Sequence, residues 1–331
     1  MELIIGGAYQ GKREYILRER GLSEADIADG AVCTAADFLT HPVIDRLHAY
    51  VLRELPEIGL SGLTELIDKT AAENPSVIIL CDEVGSGIVP IDPAEREYRE
   101  AVGNLTRMIA EKAERVVRVH AGIPQVIKGE PNLHILLMRH SITEGNLVKR
   151  YIGITDQPLC KEGIALVENN IKAGVYPPVV KVYVSPLQRA RETAALIWPN
   201  HIPEAVEGFR ECDFGHFENR NYLEMEDDPE YQEWIAKGGM SAFPGGDDSE
   251  EFIARTVKTF IETVDQALSL APGPVAVMAH GGTVMSVLSE LARPKKKFYE
   301  WYAENARGYE IEIVPAEWRR GCRELRQVRP V

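Results

Sequence analysis

Two histidines and several arginines stand where an α/β chain would gather them. The apolar run Leu133–Met138 leads directly into Arg139-His140-Ser141-Ile142-Thr143-Glu144-Gly145-Asn146, and Val275–Ala279 leads into His280-Gly281-Gly282. A third run, Val179–Val184, ends in Ser185-Pro186-Leu187-Gln188-Arg189-Ala190-Arg191. Open α/β sheets bind ligands at the carboxyl ends of their strands. Imidazoles and guanidiniums converging there form a pocket for a phosphoryl group, because planar guanidinium forks match its oxygens. One strand-end histidine can be purely structural; the combination over three strand ends is what points to phosphate chemistry.

A second constellation lies at the N-terminus. Residues Gly6, Gly7, Ala8, Tyr9, Gln10, Gly11 and Lys12 follow a short apolar run and precede a helical stretch from Arg13. The spacing is GxxxxGK, in which backbone N–H groups and the helix start face a phosphate and the lysine reaches its terminal oxygens. The next position, where Ser or Thr would hold Mg²⁺, is Arg13, and a guanidinium cannot ligate a cation.

The elements that must position these residues are legible from the pattern. Short β-branched runs (Leu3–Ile5, Val77–Cys81, Val116–Val119, Leu133–Met138, Val179–Val184, Val275–Ala279, Ile311–Val314) alternate with longer helical stretches, which predicts an α/β fold with mainly parallel sheets. Tyr98, Val102, Leu105, Ile109 and Ala113 share one helical face, and a helix is expected over Asp45–Leu55. Lys128-Gly129-Glu130-Pro131-Asn132 separates the two motif-bearing halves, so domains are expected at 1–130 and 131–331. A chain of 331 residues suits two domains, and its net charge of -14 argues against nucleic acid or anionic lipid as a partner. No apolar run is long enough for a membrane span, and Leu3-Ile4-Ile5 is too short for a signal-peptide core. The five cysteines show no metal-ligand spacing, so no metal is expected on them and the chain reads as reduced and cytoplasmic.

On the loop, the segment Glu83-Val84-Gly85-Ser86-Gly87-Ile88-Val89-Pro90, Arg96, Arg99, Ala121-Gly122-Ile123-Pro124 and Lys128, the first half resembles the adenosylcobinamide kinase/adenosylcobinamide-phosphate guanylyltransferase family. The resemblance implies a P-loop α/β domain, GTP or ATP with Mg²⁺ as its nucleotide, and cobinamide as its substrate. Arg13 departs from the family, and the stretch before Glu83 is short for the arm that carries a guanylylated histidine, for which His48, with Arg53 beyond it, is the candidate.

The second half resembles the histidine phosphatase (phosphoglycerate mutase-like) superfamily. It does so through Arg139-His140-Ser141, Thr143, Asn146, Arg150, Gly153, Asp156, Ser185-Pro186-Leu187, Arg189, Glu211, Phe214-Gly215, Gly245-Gly246, Ser249 and His280-Gly281. The resemblance implies an α/β/α sandwich whose site needs no cofactor. His140 would attack phosphorus, Arg139 and Arg189 with Arg150 and Asn146 would hold the phosphoryl oxygens, and His280 would donate to one of them. Glu211 would be the proton donor and later the base, with Glu218 and Asp213 as rivals. Ser141, where glycine is usual, would narrow the space beside His140. Together the halves imply an α-ribazole phosphatase in cobalamin nucleotide-loop assembly. Two alternatives stay open: a phosphatase with a non-catalytic nucleotide-binding or scaffold domain, and a broad-specificity phosphatase or mutase. Tyr222, Tyr231, Trp234 and Phe243 are candidate lid aromatics over a heterocyclic base, or else packing; the oligomeric state is left open.

Overall fold

A computed structural model describes residues 1–239, 241–270 and 273–331. The chain forms two compact units, Met1–Pro131 and Asn132–Val331.

The first unit runs β1 (Glu2–Gly6), α1 (Lys12–Arg20), β2 (Ile27–Asp29), α2 (Asp37–Thr40), β3 (Val43–Asp45), α3 (Leu47–Glu73), β4 (Ile78–Asp82), α4 (Pro93–Lys112), β5 (Arg115–His120) and β6 (Ile123–Lys128). Its sheet has the order β2-β3-β4-β1-β5-β6, parallel except for the last, antiparallel pair. Side chains alternate across the pleat, so Leu3, Ile79, Cys81 and Val116 pack under α3 and α4 while Ile4, Leu80, Val117 and Val119 pack with Tyr15 and Ile16 of α1. Buried ion pairs from Arg115 to Glu2 (3.0 Å) and Glu19 (3.3 Å) tie α1 to the sheet, and so fix the loop between β1 and α1. The helix expected from Asp45 starts later, at Leu47, because Asp45 ends β3 and its carboxylate accepts from the Arg46 N–H at 2.8 Å. It also runs further, to Glu73, with a break at Gly59 (φ 63°) just beyond Pro56. The short strands β2 and β3 were not visible in the sequence: three residues are too few to show a period.

The second unit runs β7 (Leu133–Arg139), α5 (Glu144–Leu147), α6 (Lys161–Lys172), β8 (Lys181–Val184), α7 (Gln188–Ile197), β9 (Glu204–Ala205), α8 (Pro229–Ala236), α9 (Ser249–Ala267), β10 (Val275–Ala279), α10 (Gly281–Leu291), β11 (Gly308–Ile313), α11 (Pro315–Arg319) and β12 (Gln327–Pro330). Strand order is β12-β11-β7-β10-β8-β9, with β7, β10 and β8 parallel at the centre and β11 antiparallel to β7. Ile135, Leu137, Val275 and Val277 face α9 and α10, whereas Leu136, Met138, Ala276 and Met278 face α6 and α7. Helices therefore cover both faces of this sheet, an α/β/α sandwich, and each fully buried Val, Leu or Ile contributes roughly 1.5–3 kcal/mol.

Candidate active site

The central order β7-β10-β8 brings three strand ends side by side. Ala279 is in register with Arg139, the His140 N–H donates to Ala279 O at 2.9 Å, and the Ser185 N–H donates to Met278 O at 2.9 Å. His140 and His280 meet edge to face with ring centroids 5.1 Å apart. His140 is 4 % exposed and its Nδ1 lies 2.6 Å from the Ser141 carbonyl oxygen. A carbonyl only accepts, so Nδ1 carries the proton and Nε2 keeps its lone pair. That Nε2 faces Arg189, whose Nε donates to it at 3.2 Å. Burial first, then the charges of Arg189 and Arg139, hold the His140 pKa well below the ordinary histidine value. It is a neutral imidazole whose unprotonated Nε2 faces the Arg189 guanidinium.

Arg189, at the start of α7, is fully buried, and its remaining N–H groups donate to Thr155 O (2.9 Å), Ile152 O (3.2 Å) and Gly153 O (2.8 Å). Those carbonyls are fixed by Glu218, which accepts from the Gly153 and Thr155 N–H groups at 2.8 and 2.9 Å. Glu218 is thus committed to the backbone, and Asp213 likewise accepts from the Gly215 N–H at 2.9 Å.

Glu211 differs from both. It is 8 % exposed, with Oε1 accepting from the Cys212 N–H and Oε2 from the Gly282 N–H, each at 3.1 Å. Burial raises its pKa above the ordinary carboxyl value, against those N–H groups and the nearby arginines. A carboxyl pushed upward beside a depressed histidine is the pairing expected of a general acid and a nucleophile.

His280 is also held well below the ordinary value, by burial and then by Arg189. Ser185 Oγ accepts from the Leu187 N–H at 3.4 Å and lies 2.7 Å from His280 Nε2; with the hydroxyl donating to that nitrogen, the imidazole proton sits on Nδ1. His280 Nδ1 and Arg139 Nε are buried without a partner among the described residues. The Arg139 Nη1 is anchored on Ala303 O at 2.9 Å and its guanidinium lies 5.2 Å from the Tyr302 ring.

Of the other expected residues, Asn146 uses Oδ1 to accept from the Thr143 N–H (3.1 Å) and Asn305 Nδ2 (3.3 Å), so Nδ2 is the group it can offer an anion. Arg150 is engaged elsewhere: its guanidinium donates to Asn219 O and pairs with Glu224. The Ser141 hydroxyl is turned onto Gly163 O at 2.7 Å, in the first turn of α6. Tyr231, Trp234 and Phe243 are buried against Phe217 and Met225, so packing is their role; only Tyr222 of that group is exposed. Neither Asn305, which also donates to His140 O at 3.1 Å, nor Tyr302 belongs to a strand-end motif, so residue spacing did not single them out. Glu144, Cys160 and Glu162 offer ligand atoms within 4.8 Å of one another, but the Cys160 thiol caps α6 by accepting from the Gly163 N–H.

In the first unit Lys12 Nζ donates to Gly6 O (3.2 Å) and Gly7 O (2.8 Å) and pairs with Asp82 Oδ1 at 2.6 Å. Gly11 closes the loop in the left-handed region (φ 85°), and the Ala121 N–H donates to Gln10 Oε1 at 2.6 Å. His48 sits beside Asp82, whose N–H donates to His48 Nδ1 at 3.2 Å, and burial lowers its pKa. With Nδ1 accepting, Nε2 bears the proton, so His48 is not poised as a nucleophile. Arg53 reaches Gly30 O at 3.3 Å and also Cys33 O, and serves the fold.

Comparison with known proteins agrees with this division. Residues 41–127 match the family model for cobinamide kinase / cobinamide phosphate guanyltransferase; the glycine loop lies outside that match. The bifunctional adenosylcobalamin biosynthesis protein CobP of Pseudomonas aeruginosa is 38% identical over 73 residues, 22% of this chain and 42% of that protein, so the chain spans less than half of it. The adenosylcobalamin/alpha-ribazole phosphatase of Salmonella typhimurium is 28% identical over 189 residues, 55% of this chain and 91% of that enzyme. A candidate alpha-ribazole-5′-P phosphatase of Escherichia coli shares the fold, with a TM-score of 0.50 at 21% identity over 56% of this chain and 92% of its own. Residues 135–321 match the model for the histidine phosphatase superfamily, branch 1. Because that match takes in every group placed around His140 and extends over more than half of the sequence, the chain belongs to the histidine phosphatase superfamily.

Proposed function

We propose that the second unit hydrolyses a phosphomonoester through a phosphohistidine on His140. The observation that carries this is the set of groups gathered near His140: Arg189 Nε on its Nε2, the His280 ring 5.1 Å away, and the buried, unpartnered Arg139 Nε and His280 Nδ1. Buried donors without acceptors are costly, which a phosphoryl group's oxygens would relieve. The His140 Nε2 lone pair forms the bond to phosphorus as the ester P–O bond breaks. Glu211 gives its proton to the leaving alkoxide. The carboxylate then takes a proton from water as that water's oxygen attacks phosphorus, the N–P bond breaks and inorganic phosphate is released. No cofactor enters these steps, since the guanidiniums and His280 meet the developing charge.

The substrate we assign is α-ribazole 5′-phosphate, or cobalamin 5′-phosphate, in assembly of the cobalamin nucleotide loop. Support comes from the name of the Salmonella relative and from the cobinamide kinase-type segment on the same chain. The half-exposed Tyr302 ring against Arg139 offers a face for a heterocyclic leaving group. The first unit we read as a nucleotide-binding domain for GTP or ATP, acting beside cobinamide. No helix among the described residues is long and apolar enough to cross a membrane, and the five free cysteines suit a reducing cytoplasm.

The test compares kcat/KM for α-ribazole 5′-phosphate, cobalamin 5′-phosphate, glycerol phosphate and 3-phosphoglycerate. The cobalamin-type esters should lead, and wild type but not His140→Ala should yield an acid-labile phosphoryl adduct by mass spectrometry. Unchanged turnover in His140→Ala would exclude the phosphohistidine, and a preference for 3-phosphoglycerate would exclude the assigned substrate.

A further inference from the structure

We propose that the glycine loop of the first unit binds the phosphate tail of a nucleotide as the free anion, with the Arg13 guanidinium standing in for the divalent cation, so that binding requires no Mg²⁺. This rests on the nucleotide-binding reading of residues 6–12 given above. In loops of GxxxxGK spacing the residue after the lysine supplies a hydroxyl to Mg²⁺. Here that residue is Arg13, and the carboxylates that pair with Lys12 and Arg13 are already engaged.

Asp82 pairs with Lys12 at 2.6 Å through Oδ1, and its Oδ2 lies 3.6 Å from His48 Nε2. Asp45 pairs with Arg13 at 3.0 Å through Oδ2, while its Oδ1 accepts from the Arg46 N–H at 2.8 Å. Glu24 is paired with Arg13, and Asp29 takes the Arg46 Nε at 2.8 Å. Mg²⁺ needs oxygen ligands in near-ideal octahedral geometry. To obtain them it would have to displace Lys12, Arg13 or Arg46 from a carboxylate and then sit beside the displaced cation. The residues present do not fit the ion.

They do fit an anion. The backbone N–H groups of Ala8, Tyr9 and Gly11 donate to no acceptor among the described residues, and α1 begins directly behind them. The loop is held in shape from outside, by the Ala121 N–H on Gln10 Oε1 and the Gly122 N–H on Gln10 O at 2.9 Å. Arg13 is anchored on the Asp45 carboxylate, 11% exposed, and its second contact, Glu24, is 66% exposed. An exposed pair of that kind is weak and exchanges readily for phosphate oxygens, which a guanidinium can take two at a time. A free triphosphate also carries more negative charge than its Mg²⁺ complex, so the pair Lys12 and Arg13 attracts it more strongly.

Titration calorimetry on the full chain tests this with the β,γ-imido analogues of GTP and ATP and with inorganic triphosphate, in EDTA and in excess Mg²⁺. Wild type should bind in EDTA at least as tightly as in Mg²⁺, and Lys12→Ala should weaken binding about tenfold or more. Arg13→Lys, which keeps the charge, should keep binding in EDTA. Arg13→Ser, which restores the hydroxyl and frees Asp45, should bind only with Mg²⁺. Triphosphate binding as tightly as the nucleotides would assign the phosphate chain alone as ligand, and weaker binding would assign a nucleotide. Wild-type binding that Mg²⁺ tightens about tenfold overturns the proposal and leaves the nucleotide site standing. Absence of binding to every probe removes the nucleotide reading and the proposal with it.

Discussion

Gly282→Ala should cripple catalysis while favouring the helix that carries it. Gly282 lies in the first turn of α10, and a methyl group there would lie 2.3 Å from Glu211 Oε1, 3.1 Å from its Cδ and 3.1 Å from Phe252 Cζ. Glu211 is 8% exposed and lies beneath the turn, so the overlap falls on its carboxyl. To reach an unstrained contact its carboxyl must retreat by about 1 Å, and a misplacement of that size costs on the order of 10²-fold in rate. Removing the acid altogether, as in Glu211→Gln, should cost about 10²–10⁴-fold. Alanine is a better helix former than glycine by about 0.5–1 kcal/mol, so the helix itself gains. The assay is single-turnover release of a poor leaving group, such as an alkyl phosphate, beside p-nitrophenyl phosphate, whose leaving group needs no proton. The alkyl ester should lose about 10²-fold in the phosphorylation step and p-nitrophenyl phosphate much less. In a Glu211→Gln background Gly282→Ala should do almost nothing, since both act through one group. Full activity of Gly282→Ala on the alkyl ester, or equal losses on both esters, would refute the assignment of Glu211.

The same site sets a pH dependence. Nucleophilic attack needs His140 neutral, so the acid limb should lie well below pH 6.5, and it needs Glu211 protonated, so the rate should fall as pH rises through a carboxyl pKa above the ordinary 4.5. Glu211→Gln should erase that falling limb in single-turnover profiles. His140 and His280 stay neutral when folded and take up protons when unfolded below about pH 6.5, so stability is lost as pH falls through that value, by up to about 1.4 kcal/mol per pH unit for each histidine. Urea melts at pH 7 and 5.5 should show the loss in wild type and a shallower one in His280→Gln. Ser185→Ala removes the hydroxyl that fixes the His280 tautomer; a hydrogen bond of about 0.5–1.5 kcal/mol predicts a two- to tenfold drop in kcat with KM little changed. Glu218→Gln leaves one of the Gly153, Thr155 and Phe214 N–H groups without its acceptor. It should cost about 1–3 kcal/mol of stability without moving the alkaline limb, the reverse of Glu211→Gln.

Much of the architecture was legible in the chain. Alternating apolar runs gave the α/β class and the strands that end in His140, His280 and Ser185, because a strand buried on both faces must be apolar throughout. What failed was short or irregular. The three-residue strands β2 and β3 carry no period, and Ile123–Lys128 holds an exposed sheet edge with a proline in it.

For the site, residue type and local spacing alone determined that a histidine and an arginine would end one strand, a histidine a second, and a serine a third with an arginine four residues on. They also fixed that Arg13 would displace a metal-binding hydroxyl. Only the tertiary structure decided the roles, because protonation and hydrogen bonding depend on what lies opposite in space. The Ser141 carbonyl gives His140 its Nδ1–H tautomer, and the Ser185 hydroxyl facing Nε2 suits the same tautomer in His280. The resemblance singled out Glu211 as the acid, with Glu218 and Asp213 as rivals, but residue type alone does not separate three carboxylates. All three accept backbone N–H groups, but only Glu211 is buried, under the first turn of α10, where burial raises its pKa. Tyr302 and Asn305 reach the pocket from the chain before β11, a proximity that no sequence spacing encodes.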